Sequence, residues 1–331
     1  MHIPENYLSP ATCVAMGAIM LPVWYRAVKQ VEIKVKEDKE TVPMLGITTS
    51  LSFLIMMFNL PAPGGTTAHA VGAVLIAILM GPWTATLSIS VALAMQAFLF
   101  GDGGILALGA NCFTMAFLMP FTGYGIYKLI TYKGKHQALG AFVGGYLGIN
   151  VAALAVAVLL GIQPLLFKDN NGNPLYNPYP LAVTVSAMGL THLLIGFVEG
   201  FFTMGVCQFV HKLQEDEMRS ALPNKSRKNS KINYLLILIA AMIILTPLGL
   251  LATGDAFAEW DLKSLVENLS QYHLHQAAPA GMAKGWSFSA LLSDYHISGF
   301  PEVVGYILCA LTAVLIFFII YRIIFHRKFV K

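Results

Sequence analysis

Two histidines in the first seventy residues, His2 and His69, have neighbours that few histidines have. His2 follows a terminal α-amine. The amine, the residue-two amide nitrogen and imidazole Nδ1 together close a five-membered and a six-membered chelate ring on one ion. The amide must lose its proton, which takes a strongly Lewis-acidic metal. These nitrogens lie in one plane, and a fourth completes a square-planar N4 set that suits Ni(II) or Cu(II) and disfavours Mg(II) or Ca(II). The set needs Met1 to stay terminal. Residues 1–23 contain no Lys or Arg, so the basic n-region of a cleavable signal is missing, and the bulky His2 is expected to protect Met1 from removal. A solvated tail histidine is the plain alternative.

The fourth nitrogen has a candidate in His69, which closes the run Pro61-Ala-Pro-Gly-Gly-Thr-Thr-Ala-His69. An ionisable residue at membrane depth is a functional candidate by default; a helix-end histidine bonded to a carbonyl is the alternative. Phe100-Gly-Asp-Gly-Gly104 offers Asp102, with no second acid nearby in sequence, and a tight glycine turn explains the run equally well. Gln96, Asn111 and Asn150 are polar groups inside apolar segments. They are expected to bond across helices or to fix a ligand imidazole from behind. His192 and Glu199, seven residues apart in LTHLLIGFVEGFF, share a helix face. They read as a coupling or proton-linked pair, or as groups bonded to an adjacent helix. Tyr272-His-Leu-His275 and His296 read as a solvated loop, and His136, His211 and His326 as members of basic clusters. Cys13, Cys112, Cys207 and Cys309 form no CxxC pair, so neither a disulfide nor a thiolate zinc site is expected.

These groups need elements that bring them together. The chain has 331 residues, 56% hydrophobic and 11% charged, against about 25% charged in an average soluble domain. Runs of about 20 apolar residues span a bilayer as helices, and the sequence predicts an all-α, polytopic membrane protein. Nine spans are drawn: 8–29, 42–60, 68–80, 82–100, 105–130, 137–160, 181–210, 232–251 and 303–324. Gly81-Pro82 marks a tight reversal between the third and fourth, because Pro82 suits a first turn and cannot continue a helix. Short loops rich in Lys and Arg stay in the cytoplasm. With the N-terminus outside and the C-terminus inside, 18 of the 21 basic residues fall on the inner side, and only Lys168, Lys263 and Lys284 do not. The tail, residues 61–67, 101–104, 161–180 and 252–302 then share the outer face. Three parts are expected: a seven-span module over 1–213, a hydrophilic cytoplasmic linker over 214–231, and a two-span module over 232–331. Ser9 is a candidate N-cap for the first helix, with Pro10 in its first turn, and the stiff tail would deliver Met1 and His2 to a fixed place.

MHIPENYLSP, PGGTTAHAVGAVLIAILMGPW, QAFLFGDGGILALGAN and LLIGFVEGF, in that order, resemble the CbiM/NikM family, the substrate-capture components of energy-coupling-factor (ECF) importers for cobalt and nickel. The resemblance covers residues 1–210. It implies a seven-helix capture module whose metal ligands fall on Met1, His2 and His69. One departure is Glu5-Asn6 where the family has Asp-Gly, which alters the tail turn rather than the ligands. Residues 232–324, with TPLGLLATGDAFAEW, are similar to the family's two-span auxiliary component, fused here in one chain. The resemblance further implies a transmembrane coupling protein and ATP-binding cassette ATPase subunits as partners. The transported substrate it implies is Ni(II) or Co(II); no organic cofactor and no nucleic acid is expected, and membrane lipid is the other expected partner. The chain lacks GxxxxGK[ST], HExxH and GxSxG, so ATP hydrolysis would belong to other subunits and an enzyme is disfavoured. An autonomous secondary metal-ion transporter, with Glu199 and His192 relaying protons, is the alternative; no second half with a matching broken helix accompanies it.

Overall fold

The structure is a computed structural model that describes residues 1–219, 230–271 and 278–329. The core of the linker and the His273–His275 pair lie outside the described residues. Each of the nine expected spans has a helical counterpart among the described residues, and six helices are long and apolar enough to cross a membrane.

Helix α1 (Pro10–Glu37) starts as the sequence predicts: Ser9 Oγ accepts from Thr12 N–H at 3.1 Å and Pro10 occupies the first helical turn. Helix α2 (Thr41–Met56) is buried on almost every side, consistent with its central place. A short hairpin follows, β1 (Leu60–Ala62) against β2 (Thr66–Ala68), joined through Gly64 and Gly65.

The third span differs from the expectation. Only α3 (Ala73–Met80) is helical, and residues 69–72 enter the bundle as irregular chain. Gly72, at φ 73°, makes the left-handed turn into α3, a conformation open to glycine at little steric cost. Irregular backbone at membrane depth is tolerated only where protein satisfies its polar groups. Here the Glu199 carboxylate accepts from Val71 N–H at 2.8 Å and from Gly72 N–H at 3.0 Å. Gly81, at φ 84°, reverses the chain into α4 (Pro82–Met95), and the two helices pack side by side.

Two π-helical stretches interrupt the bundle. Gln96–Phe100 extends α4, and Cys112–Leu118 lies between α5 (Leu108–Asn111) and α6 (Met119–Ile130). Such stretches are frequent at functional sites, and Gln96 and Asn111 sit in or beside them. Helices α7 (Gln137–Gly161) and α9 (Leu181–Arg219) pack along their length, with Gly145 against Glu199, Gly200 and Thr203, while Gly144 and Gly148 of α7 face α6 at Gly123, the small-residue contact that lets helix backbones approach within a membrane. A short α8 (Gln163–Leu166) precedes the loop to α9.

The second module contains α10 (Ser230–Leu245) with a 3₁₀ turn (Thr246–Leu251), α11 (Leu262–Gln271), α12 (Ala280–Ala283) and α13 (Glu302–Phe329). Helices α10 and α13 both pack against α2. Tyr306 Oη donates to Met57 O at 2.8 Å, and Thr49 Oγ1 lies 2.9 Å from Tyr321 Oη. Among the described residues before α13, Trp260 and Trp286 meet the N-terminal tail: Tyr7 Oη donates to Trp260 O and Asn6 Nδ2 to Trp286 O, each at 2.9 Å. The segments that charge placement assigned to one face do converge at one end of the bundle. Gly104 N–H donates to Ile3 O at 2.9 Å, Asn177 N–H to Tyr7 O at 3.0 Å and Thr67 N–H to Asp255 O at 3.3 Å.

Candidate metal centre

The tail turns down into the bundle rather than into solvent. Asn111 clamps it at Ile3: Ile3 N–H donates to Asn111 Oδ1 at 2.8 Å, and Asn111 Nδ2 donates to Ile3 O at 3.1 Å. Gly104 backs this segment so closely that a Cβ there would stand 2.8 Å from Pro4 C. The Glu5 carboxylate accepts from Ile105 and Leu106 N–H, and burial holds its carboxyl above the ordinary glutamate value. Asn6 takes φ 66°, the left-handed region in which Asn is the commonest substitute for Gly. The Glu5-Asn6 departure therefore still makes a turn, and its side chains are used in holding the tail.

Met1, His2 and His69 meet at the bottom of this tail, all three buried. His69 Nε2 lies 3.4 Å from the Met1 amino nitrogen and 3.2 Å from His2 Nδ1. Tautomers follow from the partners. His69 Nδ1 lies 3.0 Å from Ala70 O; a carbonyl only accepts, so Nδ1 carries the hydrogen and Nε2 presents a lone pair. Gln96 Nε2 donates to Asp102 Oδ2 at 3.1 Å, which turns Gln96 Oε1 to His2 Nε2 at 3.3 Å. With His2 Nε2–H donating there, His2 Nδ1 also presents a lone pair. Two imidazole lone pairs and the Asp102 carboxylate, with Oδ1 3.2 Å from His2 Nδ1, thus gather beside the Met1 ammonium. Such a gathering of acceptors favours a cation, and the amine joins the ligands once it gives up a proton.

Asp102 needs one correction. In sequence it has no acidic neighbour, but the fold brings Glu259 to it, and ligating atoms of His2, Asp102 and Glu259 lie within 4.8 Å of one another. Glu259 Oε1 also accepts from the Met1 amino group at 2.8 Å. Tyr295 Oη donates to Asp102 Oδ2 at 2.6 Å. Both residues escaped the sequence reading, because nothing in GDAFAEW or SDYH indicates which part of the chain they meet. A cavity of about 510 Å³ opens above the group, lined by Thr67, His69, Asp102, Asp255, Glu259 and Tyr306 among others. Its acidic lining is self-repelling: burial, then Asp261, Glu259 and Asp294, hold the Asp255 carboxyl above its ordinary value.

The remaining candidates divide. Glu199 reaches the site indirectly, through the backbone two and three residues beyond His69. His192 does not join the ligand cluster: its Nδ1 lies 2.9 Å from Met188 O, and its Nε2 is buried without a hydrogen-bond partner. Asn150 donates to Tyr146 O within its own helix at 2.7 Å. His296 is exposed.

Known proteins share this arrangement of modules. The family described as "Cobalt uptake substrate-specific transmembrane region" (CbiM) matches residues 2–217, and the PDGLE domain matches residues 232–327. The probable fused nickel transport protein LarMN of Lactiplantibacillus plantarum is 51% identical over 328 residues, covering 99% of this chain and 98% of that one. The fused nickel transport protein NikMN of Rhodobacter capsulatus is 40% identical over 333 residues, covering 95% and 94%. A crystal structure of a transition metal transporter superposes with a TM-score of 0.61 at 54% identity, covering 65% of this chain and 94% of that one. With a family match over most of its length and relatives similar from end to end, the chain belongs to the CbiM family of nickel and cobalt transport proteins and carries a PDGLE domain at its C-terminal end.

Proposed function

We propose that the chain is the metal-capturing subunit of an ECF-type importer, binding Ni(II) or Co(II) at the outer face through four nitrogens: the Met1 amine, the His2 amide, His2 Nδ1 and His69 Nε2. The observation that carries the reading is the spacing around His69 Nε2, 3.4 Å to the amine and 3.2 Å to His2 Nδ1. Neighbouring donors each about 2.0 Å from one ion in a square plane stand roughly 2.8 Å apart, so the set needs to contract by only about half an ångström. In this plane His69 faces the His2 amide nitrogen, and the two chelate rings take the other edges.

Planar N4 coordination favours nickel on geometry, and Co(II) is held by the same donors. The relatives named above are nickel transport proteins, and others such as that of Ruminiclostridium cellulolyticum, at 26% identity, are cobalt transport proteins. The orientation goes with the reading: N-terminus and cavity outside, C-terminus in the cytoplasm. ATP is hydrolysed by ATP-binding cassette partners, acting through a membrane coupling protein, to drive release inward. Residues 1–213 form the capture module and 232–331 the auxiliary module.

An autonomous secondary transporter would use Glu199 as a proton carrier. Both Glu199 oxygens instead accept from the backbone of the His69 loop, which supports a structural role. Isothermal titration of full-length protein tests the ligand set. His2→Ala and His69→Ala should each lower Ni(II) affinity by more than a hundredfold. Parental affinity in either variant would remove that imidazole from the site.

A further inference from the structure

The second module meets the ligand set at two points, and neither is explained by capture through four nitrogens alone. Glu259 Oε1 accepts from the Met1 amino group at 2.8 Å, and its side chain is four-fifths buried in the lining of the cavity. Tyr295, fully packed in the same loop, donates from Oη to Asp102 Oδ2 at 2.6 Å. Gln96 Nε2 donates to the same Asp102 oxygen at 3.1 Å and lies 3.1 Å from Tyr295 Oη. Asp102 and Gln96 in turn face the two nitrogens of His2 at 3.2 and 3.3 Å. One contact bears on the amine arm of the chelate and the other on its imidazole arm.

We infer that Glu259 and Tyr295 are positioning residues for metal capture, a two-point clamp that assembles the chelate before the ion arrives. The inference rests on the N4 reading above. A terminal amine has free rotation about its Cα bond and loses it when it ligates; a carboxylate that already holds it at His69 removes part of that ordering cost. A metal-bound amine still carries N–H groups, so Glu259 remains its acceptor after capture. Its negative charge faces a cationic group in both states, an ammonium before and a metal amine after. Glu259 therefore behaves as the outer-sphere partner of a ligand, the role in which substitution typically lowers metal affinity by about 10- to 100-fold. Tyr295 does the same for His2 through Gln96: its Oη accepts from Gln96 Nε2 at 3.1 Å and so keeps Gln96 Oε1 turned to His2 Nε2–H.

The test uses the full chain with its native start. Glu259→Ala should lower Ni(II) affinity at least tenfold while the visible absorption of the saturated protein stays that of the parent, because the four nitrogens are unchanged. In the metal-free protein, an acylating reagent should label the Met1 amine several-fold faster in Glu259→Ala than in the parent. Tyr295→Phe should lower affinity with labelling unchanged, since it touches the imidazole arm only. Tyr321→Phe removes the contact of α13 with Thr49, a docking contact of the same module outside the cavity, and should leave affinity within about twofold. Parental affinity and labelling in Glu259→Ala would overturn the inference, and so would an equal loss in Tyr321→Phe, which would make the effect one of docking. If His2→Ala abolishes binding while Glu259→Ala does not weaken it, the clamp alone fails; if His2→Ala binds normally, the N4 reading fails.

Discussion

His2 is held at ring nitrogen Nε2 and at the backbone that follows it, a restraint that a solvated tail side chain would lack. Gln96 accepts at the ring, and Asn111 fixes the peptide behind it with two hydrogen bonds at Ile3. Asn111→Ala leaves the buried Ile3 N–H without its partner, at a cost of about 1–3 kcal/mol. The expected result is an affinity for Ni(II) about tenfold weaker with the bound-state absorption unchanged; an unaltered titration would show that the clamp does not restrain the ligands. The candidate donors Met1 and His2 were legible in the sequence, because chelate-ring size depends only on residue order, and the structure brings His69 beside them. Gln96 and Asn111 were legible as polar groups in apolar runs that must find partners. Glu259 was not: it meets Met1 across 258 positions, and no local pattern encodes a contact made by the docking of one module on another.

At the scale of elements, hydropathy placed the helices correctly and misread one of them. Residues 68–80 are apolar enough to read as one span, yet the chain becomes helical only at Ala73. Hydropathy records side chains, whereas the break is set by backbone groups and by a carboxylate from another helix. Glu199 supplies that carboxylate and joins α9 to the loop bearing His69. Since α9 runs on to His211 and Lys212, which line a cavity of about 610 Å³ at its other end, the loop is tied to a helix that reaches both ends of the bundle. Glu199→Ala removes the acceptor of two buried N–H groups, and destabilisation of about 2–6 kcal/mol is expected from two such losses. Thermal unfolding in detergent should show a clear fall in midpoint, with a smaller fall for Glu199→Gln, which keeps one acceptor oxygen. Equal midpoints for parent and Glu199→Ala would mean that the loop is held by other contacts.

For the whole molecule, two modules of separate sequence character share one end. The tail, residues 61–67, 101–104 and 161–180 and the described part of 252–302 meet there, as grouping by charge had placed them. What charge could not supply is the depth of the tail: Met1 and His2 expose only 2% and 3% of their surface. The capture account turns on the Met1 nitrogen itself. The most direct measurement is a Ni(II) titration, followed by calorimetry and visible absorption, on the full chain with its native start and on the same chain with two glycines placed before Met1, because a single glycine would make His2 the third residue and build a planar four-nitrogen chelate of its own. The extension moves the terminal amine out of chelating distance while leaving both imidazoles and every helix in place. The account predicts loss of the planar-nickel absorption and a fall in affinity of at least a hundredfold in the extended chain. An extended chain that binds nickel as tightly as the parent, with the same spectrum, would contradict it.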